Sequence, residues 1–310
     1  MTSPTPDTIA KPGATPLRAV PSLKATAERL GALKELPGVW EGTGFSLIAR
    51  PHFGGEDPNG LFLQLNWLQE SLEIRTIGSP VFNRGSGQGD IAIYGVTYMH
   101  RVTDGVTGGA LHIEPGMWLN IPATTDPKAE ASIARLGTIP HGNAFCTVGF
   151  VQHAVYDRIP EIPPANVIPY DIGAQPPAAG AANPFSQYDL SQPSAFRSDP
   201  LPPGLTQAMV NDPNQVLRDT LARQVNDEGK TLNWITRLIT NTQSAAGIGN
   251  IPFITANANT VSLESVFAIE SVSEPSGEEF LQLQYSQTAL LNYRGKTYPH
   301  ITVGTLIKAF

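Results

Sequence analysis

The feature that most restricts this chain is alternation of apolar and polar residues, sustained over runs too long for loops and at the wrong period for helices. From Asp90 to Val102 the sequence reads D-I-A-I-Y-G-V-T-Y-M-H-R-V, and runs of this texture recur along most of the chain. A period of two places alternate side chains on opposite faces of a strand. Candidate strands are 39–49, 60–68, 71–77, 90–102, 110–121, 131–139, 143–156, 230–242, 260–272, 280–293 and 301–309. Pairs such as Asp104-Gly105 and Gly108-Gly109 supply turns between them. About ten long strands at hairpin spacing predict an antiparallel meander, which removes its exposed edges by closing into a barrel. Above about eight strands, such a barrel has room for a ligand.

Four stretches follow from this pattern. Residues 1–21 carry five prolines and few apolar side chains, and are expected to form a flexible arm. Residues 22–156 hold a short helix (22–35, with Ser22 as its N-cap) and the first part of the barrel. Residues 157–229 are a Pro-rich insertion ending in a helix at 213–225, where Val216, Leu217, Thr220, Leu221 and Val225 make one face. The insertion, irregular over 157–204, is expected to lie exposed or docked over the barrel. Residues 230–310 complete the barrel.

Composition removes several function classes. A formal charge of -7 with only 15% charged residues supplies no basic stripe for nucleic acid, and no Lys/Arg run suits an anionic membrane surface. No apolar run is long enough to span a bilayer. A lone Cys146, read as a small core residue, and an N-terminus without an apolar leader segment point to a soluble cytoplasmic protein without disulfides. There is no G-x-S-x-G, H-E-x-x-H or C-x-x-C, and Ala245–Gly249 lacks the Lys-Ser/Thr of a phosphate loop.

Three short stretches carry a family likeness. Gly38-Val39-Trp40-Glu41-Gly42-Thr43-Gly44 resembles the G-x-W opening of calycin barrels, among them lipocalins, fatty-acid-binding proteins and the haem-binding nitrobindins. Leu111-His112-Ile113-Glu114-Pro115-Gly116 is similar to the nitrobindin M-H-x-E-x-G strand, with Leu111 in place of Met. Tyr298-Pro299-His300 through Leu306 is similar to the terminal P-H-L-x-A-x-L stretch of that family, with one extra residue before Leu306. The likeness implies a calycin-like barrel closed at its base by Trp40, with haem as cofactor and His300 as the axial ligand of its iron. Residues 157–229 have no counterpart in that family.

His112 and Glu114, two apart on a strand, share a face, with Leu111 and Ile113 directed to an apolar environment on the other. The pair reads as an acid/base couple over a ligand, as two ligands of a divalent metal, or as a structural lock. His141, at the centre of a Pro140-His141-Gly142 turn, is a further candidate at the mouth. Tyr94, Tyr98 and His100 share one strand face, as do Gln282, Gln284, Ser286 and Thr288; each face suits a ligand-contacting lumen or a solvated exterior, and Tyr98 is taken as a ligand contact. Arg75, Arg84, Arg101 and Arg237 are candidates for haem propionates. His52, His100 and His153 have no evident partner.

The leading expectation is a barrel that binds haem or another planar hydrophobic ligand, with gas or peroxide chemistry, through His300, His112 and Tyr98. The alternative is a cofactor-free enzyme (isomerase, cyclase or dehydratase) acting on a small hydrophobic metabolite through His112, Glu114 and His141. A third reading is a non-catalytic carrier.

Overall fold

The computed structural model describes residues 23–53, 60–156, 158–242 and 247–309. The expected arm at 1–21 and the Ser22 cap lie outside these residues. Ten long strands form the body: β1 (Gly38–Pro51), β2 (Leu61–Thr76), β3 (Ile91–Asp104), β4 (Ala110–Ile121), β5 (Ser132–Ile139), β6 (Asn143–Val155), β7 (Thr231–Asn241), β8 (Asn259–Ser273), β9 (Glu279–Tyr293) and β10 (Lys296–Lys308). Each pairs antiparallel with the next, and β10 pairs back onto β1 from Trp40↔Lys308 to Ile48↔His300. The result is a closed up-and-down barrel, in which every long strand has two neighbours and no long edge is left bare. The insertion between β6 and β7 does not interrupt the sheet, because those two strands pair directly.

The stretches 60–68 and 71–77 are one strand, not two. Gln69 and Glu70 continue the ladder against Thr43 and Gly42. Nothing at these positions has turn chemistry, and the Glu70 carboxylate is directed inward to hydrogen-bonding partners.

The base of the barrel is shut by α1 (Leu23–Arg29) and a 3₁₀ turn over Gly31–Glu35. Leu30, Leu33 and Leu36 pack with Trp40, Leu72, Ile74 and Leu306. Trp40 is fully buried and its indole N–H donates to the Leu36 carbonyl at 2.8 Å, satisfying its one polar atom. The inner faces of the strands continue upward with Trp118, Phe267 and Tyr285. Phe267 stacks on Tyr285 with centroids 5.1 Å apart and meets Trp118 edge-on at 5.4 Å. The lower interior is therefore packed rather than open.

The insertion docks on the outer wall. Phe45, Leu47 and Ala49 of β1, Leu61, Leu63 and Leu65 of β2, and Ile301 and Val303 of β10 face outward, yet are buried beneath Val167, Ile168, Phe185, Tyr188, Val210 and Leu217. Among the described residues of 158–204, the only strand is the two-residue Tyr170–Asp171, so the segment contributes covering rather than sheet. Its irregular backbone is tied by Arg197, which donates to the carbonyls of Gln187, Asp189 and Gln192. Helices α2 (Gln207–Asn211) and α3 (Gln215–Ala222) follow, α3 running into a π turn at Arg223–Asp227; α4 (Pro252–Asn257) lies between β7 and β8. Of the expected face of 213–225, Leu217 and Leu221 are buried.

Leu111 and Ile113 do face away from the lumen, but into solvent. Ile113 is 39% exposed and Leu111 half-buried, so their apolar character requires no covering layer.

Candidate functional site

The inner faces of β3, β4 and β5 bring three charged or phenolic groups together. Glu114 is fully buried on β4. Arg135 of β5 donates from Nη2 to Glu114 Oε1 at 2.6 Å, from Nε to the Tyr98 hydroxyl at 3.1 Å, and from Nη1 to Gln287 Oε1 at 2.6 Å. Tyr98 of β3 also donates to Glu114 Oε1, and His112 Nε2 lies 3.2 Å from Glu114 Oε2. Burial by itself would raise the Glu114 carboxyl, but the Arg135 charge and the bonds from His112 and Tyr98 outweigh it and hold the group well below the usual carboxylate range. Burial, reinforced by Glu114, pushes the Tyr98 hydroxyl upward, so it stays protonated as a donor.

A second polar node lies alongside. Glu70 Oε2 accepts from Tyr285 at 2.7 Å and meets His100 Nε2 at 2.7 Å. Its other oxygen, Oε1, has no partner among the described residues and sits over Gly44 and Gly304. A Cβ at Gly44 would lie 2.2 Å from this oxygen and 2.4 Å from the Val303 carbonyl, so glycine is what admits a carboxylate there.

Above both nodes, at the end opposite Trp40, four imidazoles converge. His112 meets His100 edge-on at 6.3 Å and stacks with His141 at 6.4 Å. Burial, His112 and His141 together lower His300 to about 4, and burial followed by His112 lowers His141. Both rings are therefore held in the neutral form near pH 7, as a donor lone pair requires.

The structure thus gathers His112, Glu114, Tyr98, His141 and His300 at one end of one barrel. Their positions on β3, β4, the β5–β6 turn and β10 explain why the sequence separates them so widely. Other expectations need correcting. His100 is not partnerless, since it meets Glu70, and His153 Nδ1 meets Thr236 Oγ1 at 2.8 Å; His52 stacks with Phe62. The Gln282–Gln284–Ser286 face is neither lumen nor solvated surface, because it lies on the outer wall under the insertion, where Gln282 bonds Gln224 and Glu270. Arg75 and Arg101 pair with Glu73, Arg84 with Asp90, and Arg237 with Tyr156, all away from the mouth.

Arg135, Glu70 and Tyr285 escaped the sequence reading altogether. The signal was available in the scarcity of charges within strands. Arg135 shares its face with Ile133 and Gly137, and Glu70 with Leu68 and Leu72, so each demanded an internal partner of opposite character.

The rim of the mouth is apolar and uncovered. Phe53, Ile251 and Phe253 are 100%, 49% and 69% exposed, and the Ile251 N–H bonds the Gly142 carbonyl beside His141. Arg50, two residues beyond the pairing partner of His300, donates to Gln64, and Arg294 donates to the His52 carbonyl; neither makes an ion pair among the described residues. Also among those residues, no group of three or more His, Cys, Asp or Glu is arranged to hold a bare metal ion, and no helix is long and apolar enough to cross a membrane.

Fold and site together define a closed antiparallel β-barrel with a histidine-lined mouth, an architecture compatible with ligand binding. No family model matches the chain, and no curated protein matches it. Among solved structures it is similar to that described as the crystal structure of Rv2717c from M. tuberculosis, with 13% identity, a TM-score of 0.43, and coverage of 90% of this chain and 98% of that one.

Proposed function

We propose that the mouth binds a planar, largely hydrophobic ligand, with haem as the specific case, and that His300 supplies the donor nitrogen. The observation that carries this reading is the convergence of His300, His112 and His141 beneath an exposed apolar rim. A neutral imidazole offers a lone pair, the rim offers apolar contact, and Arg50 and Arg294 offer cations for carboxylates at the ligand's edge. The residues present fit that group, with a propionate-binding set different from the arginines expected from sequence. Haem, if held there by His300, would supply gas-binding or peroxide chemistry. This chain's own part is to hold and shield the ligand. Glu114, fixed by Arg135 and Tyr98, orients His112, which moves a proton at its Nδ1.

A second reading is favoured by the same His112–Glu114 pair: cofactor-free acid/base chemistry on a small hydrophobic metabolite, with His141 as a further proton carrier. Titration of the full chain with hemin, followed by Soret absorbance, separates the two. The first reading expects saturable one-to-one binding, lost at least tenfold in His300→Ala while far-UV circular dichroism is unchanged. Absent binding, or equal binding by the variant, overturns it.

A further inference from the structure

Outside the barrel, the wall formed by β6 to β9 is separated from segment 158–163 and α3 by a cavity of about 880 Å³. That volume lies in the range of small-molecule sites. Ile159, Ile162, Leu217, Ile235, Ile239 and Val266 give it apolar sides. Its lining includes three buried polar side chains: Gln284, Asn214 and Glu270, which are 2%, 7% and 1% exposed.

The orientation of two of these is fixed by bonds to backbone carbonyls. Gln284 Nε2 donates to the Leu217 carbonyl at 3.3 Å and to Thr305 Oγ1 at 3.1 Å. Asn214 Nδ2 donates to the Pro163 carbonyl at 2.8 Å. A backbone carbonyl can only accept, so neither amide can be turned around. Their oxygens, Gln284 Oε1 and Asn214 Oδ1, are left buried without a partner among the described residues. Glu270 adds a carboxyl whose Oε2 already accepts from Gln282 at 2.8 Å, and burial pushes it up to about 7. Buried acceptors of this kind are costly unless a donor reaches them.

We infer that this outer cavity is a second binding site, for a neutral, largely apolar small molecule whose hydroxyl or amide N–H groups donate to Gln284 Oε1 and Asn214 Oδ1. The ligand is neutral because the lining carries two carboxyls, Glu161 and Glu270, and two guanidiniums, Arg158 and Arg237, which leaves no net charge to match. Two buried acceptors left open in this way select a molecule that donates. The apolar sides require a body of roughly ten or more carbons, at about 25 cal/mol per Å² buried, to give useful affinity. The site is built from both the barrel wall and the insertion, so it gives residues 158–163 a task beyond covering.

The test uses the full chain and 1,2-dodecanediol as the probe, with its dimethyl ether as the donor-less control, by isothermal titration calorimetry. The inference expects saturable one-to-one binding of the diol, with the ether at least fivefold weaker. Gln284→Met, which keeps the length but removes the acceptor, should weaken the diol about fivefold, the share of one hydrogen bond. Ile239→Trp, which fills the cavity from the barrel wall, should abolish binding. His300→Ala should leave diol binding unchanged, which separates this site from the mouth. Absent binding below the diol's solubility limit, equal binding of diol and ether, or loss of diol binding in His300→Ala with retention in Gln284→Met would each overturn it.

Discussion

Removing Arg135 is the sharpest probe of the barrel interior. Its guanidinium is 2% exposed and, among the described residues, makes the only ion pair of Glu114 to a permanent cation, at 2.6 Å, together with bonds to Tyr98 and Gln287. In Arg135→Met the stem volume is roughly kept, but the fully buried Glu114 carboxylate loses its counter-charge. Breaking a buried pair on one side costs about 3–5 kcal/mol. Unfolding entropy near the midpoint is about 2.1 cal/mol/K per residue, or about 0.65 kcal/mol/K over 310 residues. The midpoint should therefore fall by about 5–8 °C at pH 7.5, read by differential scanning calorimetry. Glu114 in the intact protein has a depressed pKa, so its stabilisation is present above the unfolded value and is lost as pH falls. Without Arg135 the carboxyl takes up a proton more readily, so the gap between variant and parent should narrow from pH 7.5 to pH 4.5. The double variant Arg135→Met/Glu114→Gln removes both charges and should recover at least half of the loss. A single-variant cost under 1 kcal/mol, or a double variant no more stable than the single, would refute the view that Arg135 is there to compensate Glu114.

Other expectations can be checked in the same way. Glu270 has its pKa raised from 4.5 to about 7, so its contribution favours the fold at low pH and is lost as pH rises through that interval; Glu270→Gln should flatten the decline in urea midpoint between pH 5 and pH 8. Tyr188 is buried with a hydroxyl that has no partner among the described residues, and Tyr188→Phe should leave stability within about 1 kcal/mol of the parent or raise it, measured by urea unfolding. Gly44→Ala places a methyl group against the Val303 carbonyl and Glu70, and should break the β1–β10 seam, seen as early amide exchange along both strands. Trp40→Ala, at the fully buried base, should cost about 3–5 kcal/mol. Native-state proteolysis should spare the bonds flanking Phe185 and Tyr188, because both side chains are buried against the barrel.

Sequence alone determined the barrel, and it did so through local physics. Period-2 runs fix strand identity and glycine pairs fix the turns. Roughly ten strands in meander order leave closure as the way to satisfy edge groups, and the closed ten-strand sheet has this form. Parity alone also placed His112 and Glu114 on one face. The tertiary structure decided which face was inside where the more apolar face is the outer one: Phe45, Leu47, Leu63 and Leu65 have the apolar character of a core face but lie outside under the insertion, opposite Gly44, Ser46, Gln64 and Asn66. It also decided the partners. Glu114 finds Arg135, 21 residues on, and Glu70 finds Tyr285, 215 residues away, because strand register and closure set those distances and no local pattern encodes them. His300 reaches the other histidines for the same reason: pairing of the last strand with the first carries the end of the chain back to the mouth.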